Sequence, residues 1–246
     1  MLILPYTEVR ENIWHIFEDQ GVCCTLLRGR DLAVLVDTGY GVRNLRAFVE
    51  ANISTPYMVI NTHGHPDHVG GNHWFDCVYI SREDMDTACF FIREDALQES
   101  CPMKPLTPGA RLFLGGLTLE VIPMEAHTRG SIGLLVEEEK LLIAGDALND
   151  WLWLFHYGSQ SMDVIHDTLK KTMDLDFHTY LGGHSDREYT KAQILAHLRN
   201  IEHLTVDKGT IQSTMGFDTY TSTWQEEGHR SVISFTEDKI PERLIR

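Results

Sequence analysis

The stretch "VINTHGHPDHVGGN" sets three histidines and an aspartate inside six residues, His63 to His68, directly after an apolar run. Imidazole and carboxylate are ligands for divalent metal ions, so such crowding asks whether the rest of the chain completes a metal site. His63 and His65 lie two apart, and in an extended segment they face the same way. Asp67 and His68 follow Pro66 and can turn toward a second ion. Gly64, Gly70 and Gly71 let the backbone fold closely around the metals.

The elements that must position these residues are short apolar runs bounded by Gly, Asp or Asn. "NIWHIF", "GVCCTLLR" and "DLAVLVDTG" predict three early strands. "VRNLRAFVEA" has helical apolar spacing and leads into the strand "YMVIN". "DCVYIS" predicts a strand, and "REDMDTACFFIRED" a helix capped by Ser81. "CPMKPLTPGARLF", with three prolines and a glycine, predicts an irregular connection. "LTLEVIPM", "IGLLVEE" and "KLLIAGD" read as strands, and "SMDVIHDTLKKTMD" as a helix with Ser161 as N-cap. "HTYLGG" is a strand, "REYTKAQILAHLRNIEHLT" a long amphipathic helix, and "RSVISF" a final strand. Strands and helices alternate with no linker. Residues 1–246 therefore read as a single domain of two sheets with helices outside.

Four of these strands end in the same way. "YMVIN" leads to His63, His65, Asp67 and His68; "LTLEVIPMEA" leads to His127; "KLLIAG" leads to Asp146; "HTYLGG" leads to His184. In α/β sheets such ends gather on one edge, where sites are built. Five histidines and two aspartates are too many for one tetrahedral ion. They fit two metals sharing a bridging carboxylate, each with a place left for water.

"LVDTG", "THGHPDH", "HTRGS", "AGDA" and "GGH" together resemble the five signature stretches of the metallo-beta-lactamase superfamily. The resemblance implies an α/β fold, a four-layered αββα sandwich with the metals at the open edge between its sheets. It implies two divalent metal ions, zinc first, with iron and manganese as alternatives. His63, His65 and His127 would hold the first metal; Asp67, His68 and His184 the second, with Asp146 bridging. Asp37 matches an aspartate that supports the site from behind the ligands. Aspartate rather than cysteine at 146 resembles the glyoxalase II, lactonase and phosphodiesterase branches, and departs from the lactamases that carry cysteine there. The expected activity is hydrolysis of a small ester, thioester or lactone by a metal-bound hydroxide, with Asp67 orienting it and moving its proton. A phosphodiesterase and an iron-dependent, dioxygenase-type oxidoreductase are the alternatives.

After Asp146 comes "NDWLWLFHYGS". Trp151, Trp153, Phe155 and Tyr157 alternate, so in an extended segment they share one face and predict an apolar wall over the metals or a packing surface. His156, on the opposite parity, reads as an ordinary surface or core histidine. Arg129 stands where relatives often carry proline, and is a candidate for a substrate carboxylate or phosphate. Tyr189 and Lys191 read as structural.

A net charge of −15 argues against a phosphate-tracking nucleic-acid binder. No apolar run approaches the roughly 20 residues of a membrane span. The five cysteines form no C-x-x-C pair, and adjacent Cys23 and Cys24 read as buried core. With no signal-peptide pattern at the N-terminus, the expected compartment is a reducing cytoplasm. The expected partner is a small-molecule substrate, with no nucleic acid and no membrane; a homo-oligomer is left open.

Overall fold

In the computed structural model of the chain, residues 4–94, 101–204 and 212–240 are described. The first sheet holds seven strands in chain order: β1 (Tyr6–Arg10), β2 (Ile13–Phe17), β3 (Cys23–Arg28), β4 (Ala33–Val36), β5 (Tyr57–Ile60), β6 (Val78–Ser81) and β7 (Met103–Leu106). β1 to β4 are antiparallel neighbours, and β4 to β7 run parallel. The crossovers carry α1 (Leu45–Asn52), the single turn α2 (Pro66–Val69) and α3 (Met85–Glu94). The second sheet runs β14-β13-β11-β10-β9-β8. Its strands are β8 (Arg111–Phe113), β9 (Thr118–Pro123), β10 (Ile132–Val136), β11 (Leu141–Gly145), β13 (Thr179–Gly182) and β14 (Glu188–Thr190). Helices α4 (Met162–Met173) and α5 (Lys191–Glu202) complete the layer.

Residue alternation decides the layering. Val34 and Val36 on β4 pack with Leu141 and Ile143 on β11 between the sheets. Leu35 points the other way, to Leu45, Phe48 and Val49 of α1. On β11, Leu142 and Ala144 face Met162, Ile165 and Leu169 of α4 and Ile194 and Leu198 of α5. Strands buried on both faces must be apolar at every position, which is why these runs carry no polar residue. Burying each such Leu, Ile or Phe stabilises the fold by roughly 1.5–3 kcal/mol relative to leaving it in water. The result is the expected order of helices, sheet, sheet, helices.

Direction places the site. β4, β5 and β6 are parallel, so their C-terminal ends share one edge of the first sheet. β9 and β11 are each antiparallel to β10, and β13 is parallel to β11, so these three end on one edge of the second. All the His- and Asp-bearing loops follow those ends.

Several sequence expectations are corrected. "CPMKPLTPGARLF" contains β7 and β8 rather than an irregular connection; β7 ends the sheet's strand order, and an edge strand tolerates Pro105 because its missing N–H faces no partner. The expected helix over "REYTKAQ…" begins four residues late, at Lys191, since Glu188–Thr190 pairs with β13 as β14 and Tyr189 stacks on Tyr180. Ser81 turns its hydroxyl to Glu83 instead of capping, and a 3-10 turn over Arg82–Asp84 precedes α3. Ser161 does cap α4, accepting from Val164 N.

The largest departure is a third sheet, β12-β17-β16-β15. It comprises β12 (Trp151–Leu154), β15 (Gln212–Thr214), β16 (Phe217–Glu226) and β17 (His229–Phe235). Only β17 was expected as a strand. β16 is polar at most positions, and its pairing with β17 turns on Glu227 and Gly228, both at positive φ (48° and 83°), the conformation of a two-residue hairpin. None of the five cysteines forms a disulfide. No helix among the described residues is long and apolar enough to cross a membrane.

Candidate metal centre

The seven residues from four separate loops converge in two groups. His63, His65 and His127 form one; Asp67, His68, Asp146 and His184 form the other, the ligand atoms within each lying inside 4.8 Å. Asp146 stands between them. Its carboxylate is 3.1 Å from His184 Nε2, 3.3 Å from His68 Nε2 and 3.7 Å from His127 Nε2.

In the first group the neighbours fix where each proton sits. His65 Nε2–H donates to the Tyr157 carbonyl (2.7 Å) and His127 Nδ1–H to the Trp153 carbonyl (2.9 Å). Thr62 donates its hydroxyl to Asp37, so its oxygen accepts from His63 Nδ1–H at 3.1 Å. The remaining nitrogens, His63 Nε2, His65 Nδ1 and His127 Nε2, therefore turn bare lone pairs toward one point. His65 Nδ1 and His127 Nε2 are 2.8 Å apart with no proton left between them, and His63 Nε2 is buried without a partner. Such an arrangement costs energy unless a cation occupies it. Burial and adjacent imidazoles hold His63 well below the ordinary imidazole range and His127 at about 3, so both are neutral near pH 7, the form in which an imidazole can coordinate a metal.

The second group carries surplus negative charge. Burial opposes ionisation of Asp67, but His68 and His184 outweigh it and bring the carboxyl to about 2. Burial likewise opposes charge on His184, yet Asp146 and Asp67 raise it to about 10. His68 is pushed up by Asp146, Asp67 and Asp37 against its complete burial. Its Nδ1–H donates to Asp37 at 2.8 Å, while its Nε2 is buried without a hydrogen-bond partner. Without a metal, protons on two imidazoles stand in for positive charge that a divalent cation would bring, and binding would release them. The donor set thus fits two metal ions of the N/O-preferring kind.

Asp37 serves this centre from behind. It follows β4 in the left-handed region (φ 61°), where few side chains sit. There it accepts from Thr62 N, Thr62 Oγ1 and His68 Nδ1. A Cβ at Gly64 would lie 2.7 Å from Ala88 N, and one at Gly71 would clash with Thr38 O. These glycines allow close contact with α3 and with the loop after β4.

A cavity of about 260 Å³ opens over both groups, lined in addition by Gln20, Tyr40, Phe91, Trp153, His156 and Met215. Of the expected aromatic wall, Trp153 lines it and Trp151 sits beside Trp153, ring centroids 5.7 Å apart, its indole N–H donated to Ser234. The alternation stops there because β12 ends at Leu154. Phe155 is buried behind the cavity, and Tyr157 lies on the rim, stacked on Phe90. The same bend brings His156 into the lining, against its reading as an ordinary histidine. Arg129 is exposed and is not among the lining residues. Lys191 donates to the Met173 and Leu175 carbonyls at the end of α4, as befits a structural residue.

Sequence reasoning missed two buried supports. Asp84 accepts from Gly64 N, Gly130 N and Thr128 Oγ1, tying the His63–His65 loop to the loop of His127. Asn149 donates to Asp146 and accepts from His184 N.

Comparison with known proteins agrees with this geometry. The family profile described as the metallo-beta-lactamase superfamily matches residues 19–79, which include Asp37 and the His63–His68 cluster. The fold resembles a metallo-beta-lactamase from Pontibacter korlensis, with a TM-score of 0.65 at 15% identity over 82% of this chain and 100% of that one. The profile match over residues 19–79 and the shared fold both point to the metallo-beta-lactamase superfamily. Among similar proteins, the acyl-coenzyme A thioesterase MBLAC2 of Bos taurus is 28% identical over 183 residues, 58% of this chain and 62% of that protein. The hydroxyacylglutathione hydrolase GloC of Haemophilus influenzae is 25% identical over 159 residues, 59% and 70% of the two chains. The match thus spans less than two-thirds of the thioesterase's length.

Proposed function

We propose that the chain is a metal-dependent hydrolase of small thioesters, with esters and lactones open to the same chemistry. The observation that carries the reading is the convergence of three bare imidazole lone pairs beside an acidic group, with Asp146 between them. His63, His65 and His127 would hold one divalent ion, Asp67, His68 and His184 a second, and Asp146 would touch both. Zinc, which prefers imidazole and carboxylate without redox demands, is the metal of first choice. When bound, such ions bring the pKa of a water from 15.7 down to about 7 and so supply a nucleophile at neutral pH.

The chain's own residues do the rest. Asp67, ionised and at the cavity wall, orients the nucleophile and accepts its proton. Asp37 and Asp84 keep the histidines in place. The apolar part of a substrate meets Phe91, Trp153 and Met215, which exclude water around the scissile bond. Around them Phe90, Tyr157 and Phe217 expose 47%, 59% and 40% of their surface, a concentration of bare aromatic rings at one mouth that suits an acyl group. Both relatives above act, by their names, on thioesters, which supports this substrate class over a phosphodiester.

Thiol release from a short-chain acyl thioester tests the reading. Turnover that vanishes after dialysis against a chelator and returns with zinc is expected. Turnover of a phosphodiester under conditions where no thioester, ester or lactone reacts would contradict it.

A further inference from the structure

His156 is the histidine of the cavity whose polar edge has no protein partner. Its ring is packed on several sides: 4.4 Å from Phe155, 5.8 Å from Trp153 and 5.8 Å from Phe217, centroid to centroid. It also lies 5.6 Å from His65 and 6.3 Å from His127, beside the three-histidine group. Among the described residues no hydrogen bond reaches either of its nitrogens, whereas His65 and His127 each have an outer nitrogen committed to a carbonyl. Neutral or protonated, the ring keeps at least one N–H to donate. Packing fixes the ring while its polar edge stays open, and the cavity it lines is where a partner can come from.

A thioester brings one strong acceptor, its carbonyl oxygen, and negative charge grows on that atom as a nucleophile adds to the carbon. The other polar lining groups outside the ligand set are Gln20, Tyr40 and the Trp153 indole N–H, which is buried without a hydrogen-bond partner on a ring stacked over His184 of the acidic group, centroids 6.0 Å apart. Tyr40 lies toward the acidic group, where burial and the charge of Asp67 push its hydroxyl pKa up. His156 stands on the three-histidine side. We propose that His156 contacts the substrate and donates a hydrogen bond to the carbonyl oxygen of the scissile bond; this rests on the hydrolase reading above.

Two variants of the metal-loaded protein test it: His156→Phe keeps ring volume without a donor, and His156→Gln keeps an N–H. Metal content, kcat and KM are measured. So is binding of two unreactive analogues, a ketone with the thioester sulfur replaced by CH2 and the same chain with the carbonyl also replaced by CH2. In His156→Phe we expect unchanged metal content, kcat lower by about 100-fold, and KM within about threefold. Ketone binding should weaken about 3- to 10-fold, the carbonyl-free analogue should bind as before, and His156→Gln should recover part of both losses. Wild-type kcat and ketone affinity in His156→Phe would overturn the proposal, as would loss of a metal equivalent, which would make the residue a ligand. If the wild type hydrolyses no thioester but prefers the ketone, and His156→Phe removes that preference, the contact stands and the hydrolase reading falls. If the wild type does not distinguish the two analogues, the contact falls.

Discussion

Replacing Asp146 with Ala is expected to remove at least one metal equivalent and to reduce hydrolysis to background. The carboxylate is the group adjacent to both clusters, within 3.7 Å of nitrogens on His68, His127 and His184. Without it the acidic group keeps Asp67 alone to balance a divalent ion, and His184 loses the largest influence that raises its pKa. Mutating residues that merely support metal ligands costs 10- to 100-fold in affinity or activity, so loss of a group shared by two ions should cost more than about 100-fold. Asp146 also accepts from Asn149 at 3.2 Å, and Asp146→Asn, which keeps the shape, serves as the control for folding. Elemental analysis and thioester turnover on both variants check the expectation. Full metal content in Asp146→Ala would remove Asp146 from its place between the ions.

The second large effect is structural. Asp84→Ala should destabilise the fold and weaken the three-histidine group together. The carboxylate is 1% exposed and accepts three hydrogen bonds, from Gly64 N, Gly130 N and Thr128 Oγ1 at 2.7–2.9 Å. Each buried donor left without an acceptor costs about 1–3 kcal/mol. Part of that is recovered as Thr128 turns its hydroxyl to Ser131, already 2.7 Å away. A net loss of roughly 3–5 kcal/mol is expected. Gly64 lies between His63 and His65, and Thr128 follows His127, so the same substitution loosens two loops that carry candidate ligands. Asp84→Asn retains one acceptor oxygen but turns an NH2 toward a donor, and should fall between wild type and Asp84→Ala. Denaturant unfolding of chelated and metal-loaded protein measures both consequences; a stable Asp84→Ala protein with unaltered metal affinity would show that the loops hold themselves.

The convergence of the candidate residues was legible because each follows an apolar run, and a strand buried on both faces leaves that run in the sequence with its length intact. Direction followed from alternation with helices. What the sequence hid has specific physical causes. Asp84 acts on backbone N–H groups, and no residue type marks a donor 20 or 46 positions away. β16 is polar at most positions and its aromatics, Phe217, Tyr220 and Trp224, keep no two-residue period, so it lacks the hydrophobic signal that β4 and β11 carry. Pro105 spoke for a loop because its tolerance depends on lying at a sheet edge, which is a tertiary fact. For His156 the two-residue period was applied past the end of β12, where the chain bends and parity no longer assigns a face. Trp151 and Trp153, inside the strand, do share a side.

Two groups of candidate ligands should hold two ions. Elemental analysis of protein purified without added metal, then loaded with zinc and passed through a desalting column, tests it most directly. About two divalent ions per chain are expected, both removed by chelation. Less than one ion per chain after loading, in protein that remains folded, would contradict it.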